Sequence, residues 1–281
     1  MMTTNELEAA RTLINLALEE DVATGDITTD NLIPATTRRK AYMIAKADGV
    51  IAGLPLAEMV FRQLDESLVW EPQVKEGARV SNGTVLVRFE ASYRALLTAE
   101  RTALNFFQRL SGIATMSAKY ADEVKGTNTV ILDTRKTLPG FRMLDKYAVR
   151  TGGATNHRIG LFDMVMIKDN HIEVAGGITQ AVKQIKAKVP SNIKIEVETT
   201  NLKQVEEALA AGADIIMLDN MDNETMLKAV QVIQGKAKVE ASGNMTLERI
   251  RGVASTGVDY ISIGALTHSV QAMDISQRLE E

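Results

Sequence analysis

Six apolar segments in the second half of the chain each lead into polar or small residues. The segments are 130–132, 164–167, 193–197, 215–218, 239–241 and 260–263. The first two lead into cations, namely Arg135 with Lys136, and then Lys168. The next two lead into the carboxylates Glu198 and Asp219. The fifth segment leads into Ser242-Gly243-Asn244. The sixth ends at Ile263 and leads into Gly264-Ala265.

Each of these groups suits one kind of ligand chemistry. Cationic side chains bind carboxylated or phosphorylated substrates. Two facing carboxylates suit Mg²⁺, which prefers hard oxygen ligands and often bridges to substrate phosphates. Small residues at strand ends let backbone N–H groups approach a terminal phosphate. The order of the groups therefore predicts a site for an anionic acceptor beside a magnesium-bound sugar phosphate.

Structural roles are the alternative for each residue taken alone. Arg135 and Lys136 could be a solvated pair, and His157 could be a structural histidine. Glu198 and Asp219 could cap the helices that follow them. Lys168 is harder to explain in this way, because a lysine at a buried strand end needs a partner or a ligand. None of these alternatives explains why the charges group by sign along the strand order.

The elements that position these residues form a repeating pattern. The apolar segments alternate with helix-like segments at 178–189, 202–211, 223–233 and 247–256. Continuous apolar strands alternating with amphipathic helices indicate a parallel sheet covered by helices. We expect an incomplete (β/α) barrel, with the site at the carboxyl ends of its strands. A doubly wound sheet is the alternative, but no GxGxxG turn follows the first strand.

The first part of the chain lacks the regular alternation of apolar strands and helices. Thr3 and Glu6 stand at capping-box spacing before an amphipathic helix. Short β-like segments follow at 41–45, 50–52, 69–74 and 84–89, with a helix at 56–64 and a long helix from Leu96 past Gly112. The Asn82-Gly83 pair is a strong hairpin signal. We predict an α+β domain here. Segment 74–86 also resembles the hairpin of biotinyl carriers, but its tip carries no lysine, which favours a structural hairpin.

Composition narrows the classes of protein. The 281 residues are 45% hydrophobic and 24% charged, which is typical of a globular chain. The net charge of −4 argues against a general nucleic-acid binder. The absence of cysteine excludes disulfides, thiolate metal sites and a cysteine nucleophile. No apolar run approaches the length that spans a bilayer, and the acidic N-terminus is unlike a signal peptide. We therefore expect a cytoplasmic protein that binds neither nucleic acid nor membrane.

Longer motifs carry a resemblance to a known family. The central block has DTRKTLPGFR at 133–142, KYAV at 146–149, NHR at 156–158 and IKDNHI at 167–172. Flanking matches are EDVATGDITT at 20–29, ERTALN at 100–105 and GALTHS at 264–269. These blocks resemble the quinolinate phosphoribosyltransferase family over nearly the whole chain. Two departures are Ala154 and Asn244, which stand where the family often has glycine.

The resemblance implies an architecture and an assembly. It implies an N-terminal α+β sandwich domain over 1–111, joined by 271–281, and an open α/β barrel over 112–270. It also implies a homodimer in which one subunit's N-terminal domain covers the other's barrel mouth, with Arg101 supplied to the neighbouring active site.

The resemblance also implies the reaction and its residues. The family transfers a phosphoribosyl group from phosphoribosyl pyrophosphate to quinolinate with decarboxylation, giving nicotinate mononucleotide in NAD biosynthesis. Quinolinate would contact Arg101, Thr134, Arg135, His157, Arg158 and Lys168. Lys136, Glu198 and Asp219 would be catalytic, with Glu198 and Asp219 meeting Mg²⁺ directly or through water. The phosphates would contact Lys136, Ser242, Gly243, Asn244, Ile263, Gly264, Ala265 and His268.

Two other activities fit parts of the same pattern. A non-decarboxylating nicotinate phosphoribosyltransferase would share the architecture and the phosphoribosyl donor. A Schiff-base lyase would use Lys168 on a barrel strand as its nucleophile.

Overall fold

The computed structural model describes residues 1–280. Within these residues the helices are α1 (Thr4–Asp21), α2 (Ile27–Leu32), α3 (Leu54–Leu64), α4 (Tyr93–Thr98), α5 (Glu100–Glu123), α6 (Arg142–Thr151), α7 (Asp169–Ala175), α8 (Ile178–Lys186), α9 (Leu202–Ala211), α10 (Asn223–Ile233), α11 (Leu247–Ala254) and α12 (Ala265–His268). The strands are β1 (Arg38–Ala45), β2 (Gly49–Val50), β3 (Val69–Pro72), β4 (Arg79–Val80), β5 (Val85–Ser92), β6 (Val130–Leu132), β7 (Val165–Ile167), β8 (Ile195–Thr199), β9 (Ile215–Asp219), β10 (Lys238–Ser242), β11 (Tyr260–Ser262) and β12 (Ile275–Leu279).

The chain divides into two compact units. The first comprises residues 1–118, 137–153 and 266–280, and the second comprises 119–136 and 154–265. The first unit is built on an antiparallel sheet in the order β12-β1-β5-β3. The second is built on a parallel sheet in the order β6-β11-β10-β9-β8-β7. This arrangement confirms the predicted fold class, an incomplete (β/α) barrel preceded by an α+β sandwich domain.

The opening helix begins as its sequence predicts. The Thr3 hydroxyl accepts the Glu6 N–H, and the Glu6 carboxylate accepts the Thr3 N–H at 2.8 Å. This reciprocal pair is the capping box, which satisfies two N–H groups that the helix itself cannot bond. Ala10, Ile14 and Leu18 then form the buried face of α1.

The predicted hairpin at Asn82-Gly83 is wrong, although the chain does turn there. Gly83 has a φ of +90°, as a tight turn requires. The strands on either side, β4 and β5, do not pair with each other. β4 pairs with β2, whereas β5 pairs with β1 and β3. The turn signal is therefore local and does not specify which strand each arm joins.

The first unit takes in more of the chain than the boundary at 111/112 predicts. Its additional segment 137–153 carries α6, which packs against α1. The guanidinium of Arg109 pairs with the fully buried Asp145 at 2.9 Å, and Arg150 pairs with Glu6 at 2.6 Å. The Tyr147 hydroxyl donates to Glu76 at 2.6 Å. These contacts join residues far apart in the sequence, which is why a linear boundary does not capture them.

The C-terminal segment belongs to the first unit, as the resemblance implies. β12 pairs antiparallel with β1, from Ile275 opposite Ala45 to Leu279 opposite Ala41. Glu281, the last residue of the predicted segment 271–281, lies outside the described residues.

The parallel sheet of the second unit places its strand ends at one edge. Residues at the ends of neighbouring strands are level, with Ser242 opposite Asp219 and Glu198 opposite Met217. β6 and β7 are the two outer strands, and Thr155 makes a single parallel bridge to Leu132 beside β6. Within residues 1–280, no helix is long and apolar enough to cross a bilayer.

Candidate active site

A cavity of about 510 Å³ lies at the carboxyl ends of the parallel strands. Nine of the predicted site residues line it, all of them in the second unit: Thr134, Arg135, Lys136, His157, Arg158, Lys168, Glu198, Asp219 and Ser242. Met166, Met217, Glu240 and Ser262 complete the lining. The structure therefore brings the predicted cations and the predicted carboxylates to a single cavity.

The cationic part of the cavity holds two arginines close enough to repel each other. Burial, and after it the charge of Arg135, lowers the pKa of Arg158, while Glu196 and Asp163 act in the opposite direction. The Arg158 guanidinium donates to the Met164 carbonyl at 3.1 Å. Because two like charges are held together in a partly buried place, this part of the cavity favours an anionic ligand.

Lys168 joins the cationic and acidic parts of the cavity. It follows β7, and its Nζ lies 2.5 Å from Oε2 of Glu198, near the end of the neighbouring strand β8. The Lys168 side chain is 44% exposed, so it is not the buried strand-end cation that the sequence predicts, and the pair adds little to stability. The ion pair keeps the Glu198 carboxylate in the cavity.

The structure overturns the alternative in which Glu198 and Asp219 are helix caps. Asn201 caps α9 by accepting the Gln204 N–H, and Asp222 caps α10 by accepting the Thr225 N–H. Glu198 and Asp219 stand before these caps, on adjacent strands, and both line the cavity. Their carboxylates are therefore available for ligand chemistry rather than for helix capping.

The small residues lie around the ends of β10 and β11. Ser242 lines the cavity, and Gly243 and Asn244 continue the loop with φ angles of +92° and +49°. The N–H of Ile263 donates to the Leu132 carbonyl at 2.9 Å, so this N–H is already used within the sheet. Gly264 follows it, and Ala265 begins the short helix α12.

Two predicted residues belong to the first unit. Arg101 lies on α5, where its exposed side chain lines a separate cavity of about 340 Å³ with residues of α1 and with Phe141. His268 ends α12, with Nδ1 2.8 Å from the Ser269 hydroxyl. The contacts of both residues with substrate stay predictions.

Sequence reasoning did not single out three fully buried carboxylates at the cavity, of which Glu240 is part of the lining. Asp133 is fully buried and accepts the His157 N–H at 2.8 Å and the Asn156 side-chain amide at 2.7 Å. Nε2 of His157 lies 3.1 Å from Glu196 and 3.2 Å from Glu240, both fully buried. A strand has a side-chain period of two, so Glu196 shares its face with Glu198, and Glu240 with Ser242. That period was the signal available in the sequence.

The two buried glutamates raise the pKa of His157. Burial lowers the pKa of His157, but the hydrogen bonds and charges of Glu196 and Glu240 outweigh burial and raise it to about 10. Burial raises the pKa of Glu196, against the hydrogen bond from His157. Nδ1 of His157 accepts the Arg158 N–H at 2.8 Å. Because Nδ1 accepts this bond, Nε2 is the ring nitrogen that shares its proton with Glu196 and Glu240.

The fold is that of an α/β-barrel enzyme, and its cavity combines cationic side chains with the carboxylates Glu198 and Asp219. Two family models match the chain, the quinolinate phosphoribosyl transferase N-terminal domain over residues 26–111 and its C-terminal domain over residues 113–278. The chain belongs to the quinolinate phosphoribosyltransferase family.

Individual relatives agree with the family match. The chain is 46% identical to the chloroplastic nicotinate-nucleotide pyrophosphorylase [carboxylating] of Oryza sativa subsp. japonica, over 96% of this chain and 77% of that protein. It is also 46% identical to the probable enzyme of the same name from Synechocystis, over 93% of this chain and 90% of that protein. The crystal structure of NadC from Streptococcus pyogenes is similar with a TM-score of 0.94 and 39% identity, over 100% of this chain and 99% of that one.

Because the pKa of the buried His157 is raised, the protein should lose stability as the pH rises into the alkaline range. A group whose pKa is raised by folding stabilises the protein fully below its unfolded-state pKa and loses that contribution as the pH rises to the folded-state value. For His157 this loss runs from about 6.5 to about 10. Between pH 8 and pH 10 we expect the free energy of unfolding to fall by about 1–3 kcal/mol more in the wild type than in His157→Gln, measured by urea unfolding.

The matched control is His268→Gln, which removes an exposed imidazole. It should keep the pH dependence of the wild type. Equal slopes in the wild type and in His157→Gln would contradict the shared-proton assignment.

Proposed function

We propose that the chain transfers the phosphoribosyl group of phosphoribosyl pyrophosphate to quinolinate and releases CO₂, forming nicotinate mononucleotide and pyrophosphate. One observation carries the proposal: Arg135, Arg158 and Lys168 share a cavity with Glu198 and Asp219. The two relatives at 46% identity are described as carboxylating enzymes, which favours this reaction over the non-decarboxylating alternative. The same descriptions leave a Schiff-base lyase built on Lys168 without support.

The cationic side of the cavity receives quinolinate. Arginine binds a carboxylate through two parallel hydrogen bonds, which fixes the plane of the ring as well as its position. Arg135 and Arg158 supply this recognition, with Thr134 and His157 beside them. Lys168 adds a third cation once it leaves Glu198 for the substrate.

The acidic side of the cavity receives the sugar phosphate. Glu198 and Asp219 offer hard oxygen donors on adjacent strands, a donor set that fits Mg²⁺ bound through substrate phosphates or water. When bound, Mg²⁺ would neutralise the charge of the departing pyrophosphate. Lys136 lines the same cavity and is assigned to the phosphates, and Ser242, Gly243 and Asn244 offer a small-residue loop to the 5′-phosphate. Ile263 would contribute by positioning Gly264 and Ala265, because its N–H is used in the sheet.

The chemistry requires no covalent intermediate with the protein. The C1–oxygen bond to pyrophosphate breaks, and the pyridine nitrogen forms the new bond to C1. Glu198 and Asp219 stabilise the positive charge that develops on the ribose during this exchange. The resulting pyridinium draws electrons from the adjacent carboxylate, which leaves as CO₂, and the ring carbon then takes up a proton.

The clamp on quinolinate must not hold the departing carboxylate too firmly. Only interactions that strengthen in the transition state accelerate a step. The Arg135, Arg158 and Lys168 group therefore mostly grips the carboxylate that stays and orients the ring.

The proposed reaction is tested with the purified chain. Incubated with quinolinate, phosphoribosyl pyrophosphate and Mg²⁺, it should form nicotinate mononucleotide and CO₂ in equal amounts, measured by chromatography and by trapping labelled CO₂. A matched incubation with nicotinate in place of quinolinate should give no mononucleotide. Mononucleotide formed only from nicotinate would overturn the proposal in favour of the non-decarboxylating reaction.

Arg158 provides a test of the quinolinate side. Arg158→Ala should reduce kcat/KM by about 100-fold, because a preorganised charged contact contributes roughly 2–4 kcal/mol to the transition state. The loss should fall on quinolinate affinity, with phosphoribosyl pyrophosphate affinity changed by less than about threefold, as measured by calorimetry. Arg251→Ala, whose guanidinium donates to the Glu123 and Lys125 carbonyls, is the comparison and should keep both affinities within about twofold of the wild type. Equal losses of affinity for both substrates would refute the assignment.

The assembly proposal concerns Arg101. We place it, as the resemblance implies, in the active site of a second copy of the chain in a homodimer. This assignment gives a function to an arginine whose side chain is exposed on α5. The cytoplasmic location likewise stays a prediction, since the Oryza sativa relative is described as chloroplastic.

Mixed dimers test the exchange of Arg101. Arg101→Ala and Lys136→Ala should each be nearly inactive alone, since each loses a substrate contact at every site. Co-expressed in equal amounts, they should recover about a quarter of the wild-type activity, because half of the random dimers hold one intact site out of two. A mixture no more active than its components, or a wild type that sediments as a monomer, would contradict the shared site.

A further inference from the structure

Two asparagines at neighbouring strand ends have a left-handed backbone. Asn220, directly after β9, has a φ of 55°, and Asn244, in the loop after β10, has a φ of 49°. This conformation is unfavourable for residues other than glycine, and asparagine tolerates it better than most. Residues held in this region need support from their surroundings, and they often occur at ligand sites.

The side chain of Asn220 contacts both strand ends. Its Nδ2 donates to Oδ2 of Asp219 at 2.8 Å, and its Oδ1 accepts from Nδ2 of Asn244 at 3.1 Å. The Asn220 N–H donates to the Ser242 carbonyl at 2.9 Å. One residue therefore connects the cavity carboxylate Asp219 to the loop formed by residues 242–244.

Gly243 has to be a glycine for this connection to exist. A Cβ atom at position 243 would lie 2.3 Å from Oδ1 and 2.5 Å from Cγ of Asn220. These distances are far shorter than any side-chain contact, and Gly243 also has a φ of +92°. The loop therefore lacks a side chain where the Asn220 amide packs against it.

Arg249 makes a second connection between the same two strand ends. From α11, its guanidinium donates to the Asn244 carbonyl at 3.1 Å and to the Met221 carbonyl at 3.4 Å. Asn244 is thus held through its side chain by Asn220 and through its carbonyl by Arg249.

We propose that Asn220 is a positioning residue that fixes Asp219 relative to the 242–244 loop and thereby favours pentose 5-phosphates. Resting on the proposed function, this inference takes the loop as the 5′-phosphate site and Asp219 as the carboxylate near C1. A ligand that reaches both must span a set distance, and the Asn220 bridge holds that distance constant. The Asn220 amide donates to Oδ2 of Asp219, so Oδ1 of Asp219 is the oxygen that faces the ligand in this proposal.

A purely structural role for the bridge makes a different prediction. Asn220 and Asn244 are exposed, so the bridge adds little to global stability. If it served only the local turn, its loss would leave the affinities for both substrates unchanged.

Binding of ribose 5-phosphate without Mg²⁺ separates the two roles. This probe carries the 5′-phosphate and C1 but no pyrophosphate. Asn220→Gly and Asn244→Gly preserve the left-handed backbone while removing the bridge. Each should weaken ribose 5-phosphate binding about three- to tenfold by calorimetry, as expected for one hydrogen bond. The double variant should bind no more weakly than Asn220→Gly, since both changes break the same bridge.

Gln234→Gly is the matched control, because Gln234 is also left-handed but caps the far end of α10. It should bind ribose 5-phosphate like the wild type, and every variant should keep its quinolinate affinity within about twofold. Unchanged ribose 5-phosphate affinity, losses that multiply in the double variant, or equal losses for quinolinate would overturn the proposal. If Asn220→Gly fails to fold, Asn244→Gly alone decides the outcome. Unchanged ribose 5-phosphate affinity in that variant, or an equal loss of quinolinate affinity, would overturn the proposal.

The bridge and the proposed function fail in different ways. A wild type that forms no nicotinate mononucleotide refutes the proposed function. A wild type that forms it, with variants that bind ribose 5-phosphate normally, refutes only the bridge.

Discussion

The site depends on opposite charges held side by side. Arg135 and Arg158 are held close together, and like charges in a partly buried place repel unless anionic groups lie nearby. Glu196 and Glu240 are fully buried and both contact Nε2 of His157, and Glu240 also lines the cavity. Asp133, also buried, accepts a hydrogen bond from the backbone N–H of His157. The buried carboxylates thus let the cationic groups exist without their substrate, and the proton of His157 limits the negative charge that is buried there.

The parallel sheet is what makes this arrangement possible. All of its strands end at one edge, so residues separated by about a hundred positions in sequence become neighbours. Along each strand, alternate residues face the same side, so a single strand can supply both a buried carboxylate and a residue that lines the cavity. β8 does so with Glu196 and Glu198, and β10 with Glu240 and Ser242. On both strands the buried carboxylate, Glu196 or Glu240, therefore stands two residues before the residue assigned to the ligand, Glu198 or Ser242.

The sequence predicts what depends on local pattern. The barrel strands are recognisable because strands buried on both faces are continuous apolar runs. The cationic and acidic strand ends follow directly from them. Contacts between distant residues were not predictable in this way: α6 joins the first unit through Asp145 and Tyr147, whose partners Arg109 and Glu76 are remote. Glu196 and Glu240 interrupt apolar strands, and only their shared face with Glu198 and Ser242 marks them as functional. The Asn220 bridge requires a left-handed backbone, which asparagine tolerates but which the presence of an asparagine in the sequence does not predict.

The ion pair between Lys168 and Glu198 links the two halves of the proposed site. In the absence of substrate, each group satisfies the other at 2.5 Å. Under the proposed roles, quinolinate takes the lysine and the sugar phosphate takes the glutamate. Breaking the pair is then a single cost that both substrates share, so the ligand that binds first lowers the cost for the second. Coupling of this kind is reciprocal, because a free energy that favours the second ligand after the first must favour the first after the second. A salt bridge that stabilises the empty cavity therefore disfavours the states with one substrate bound relative to the state with both.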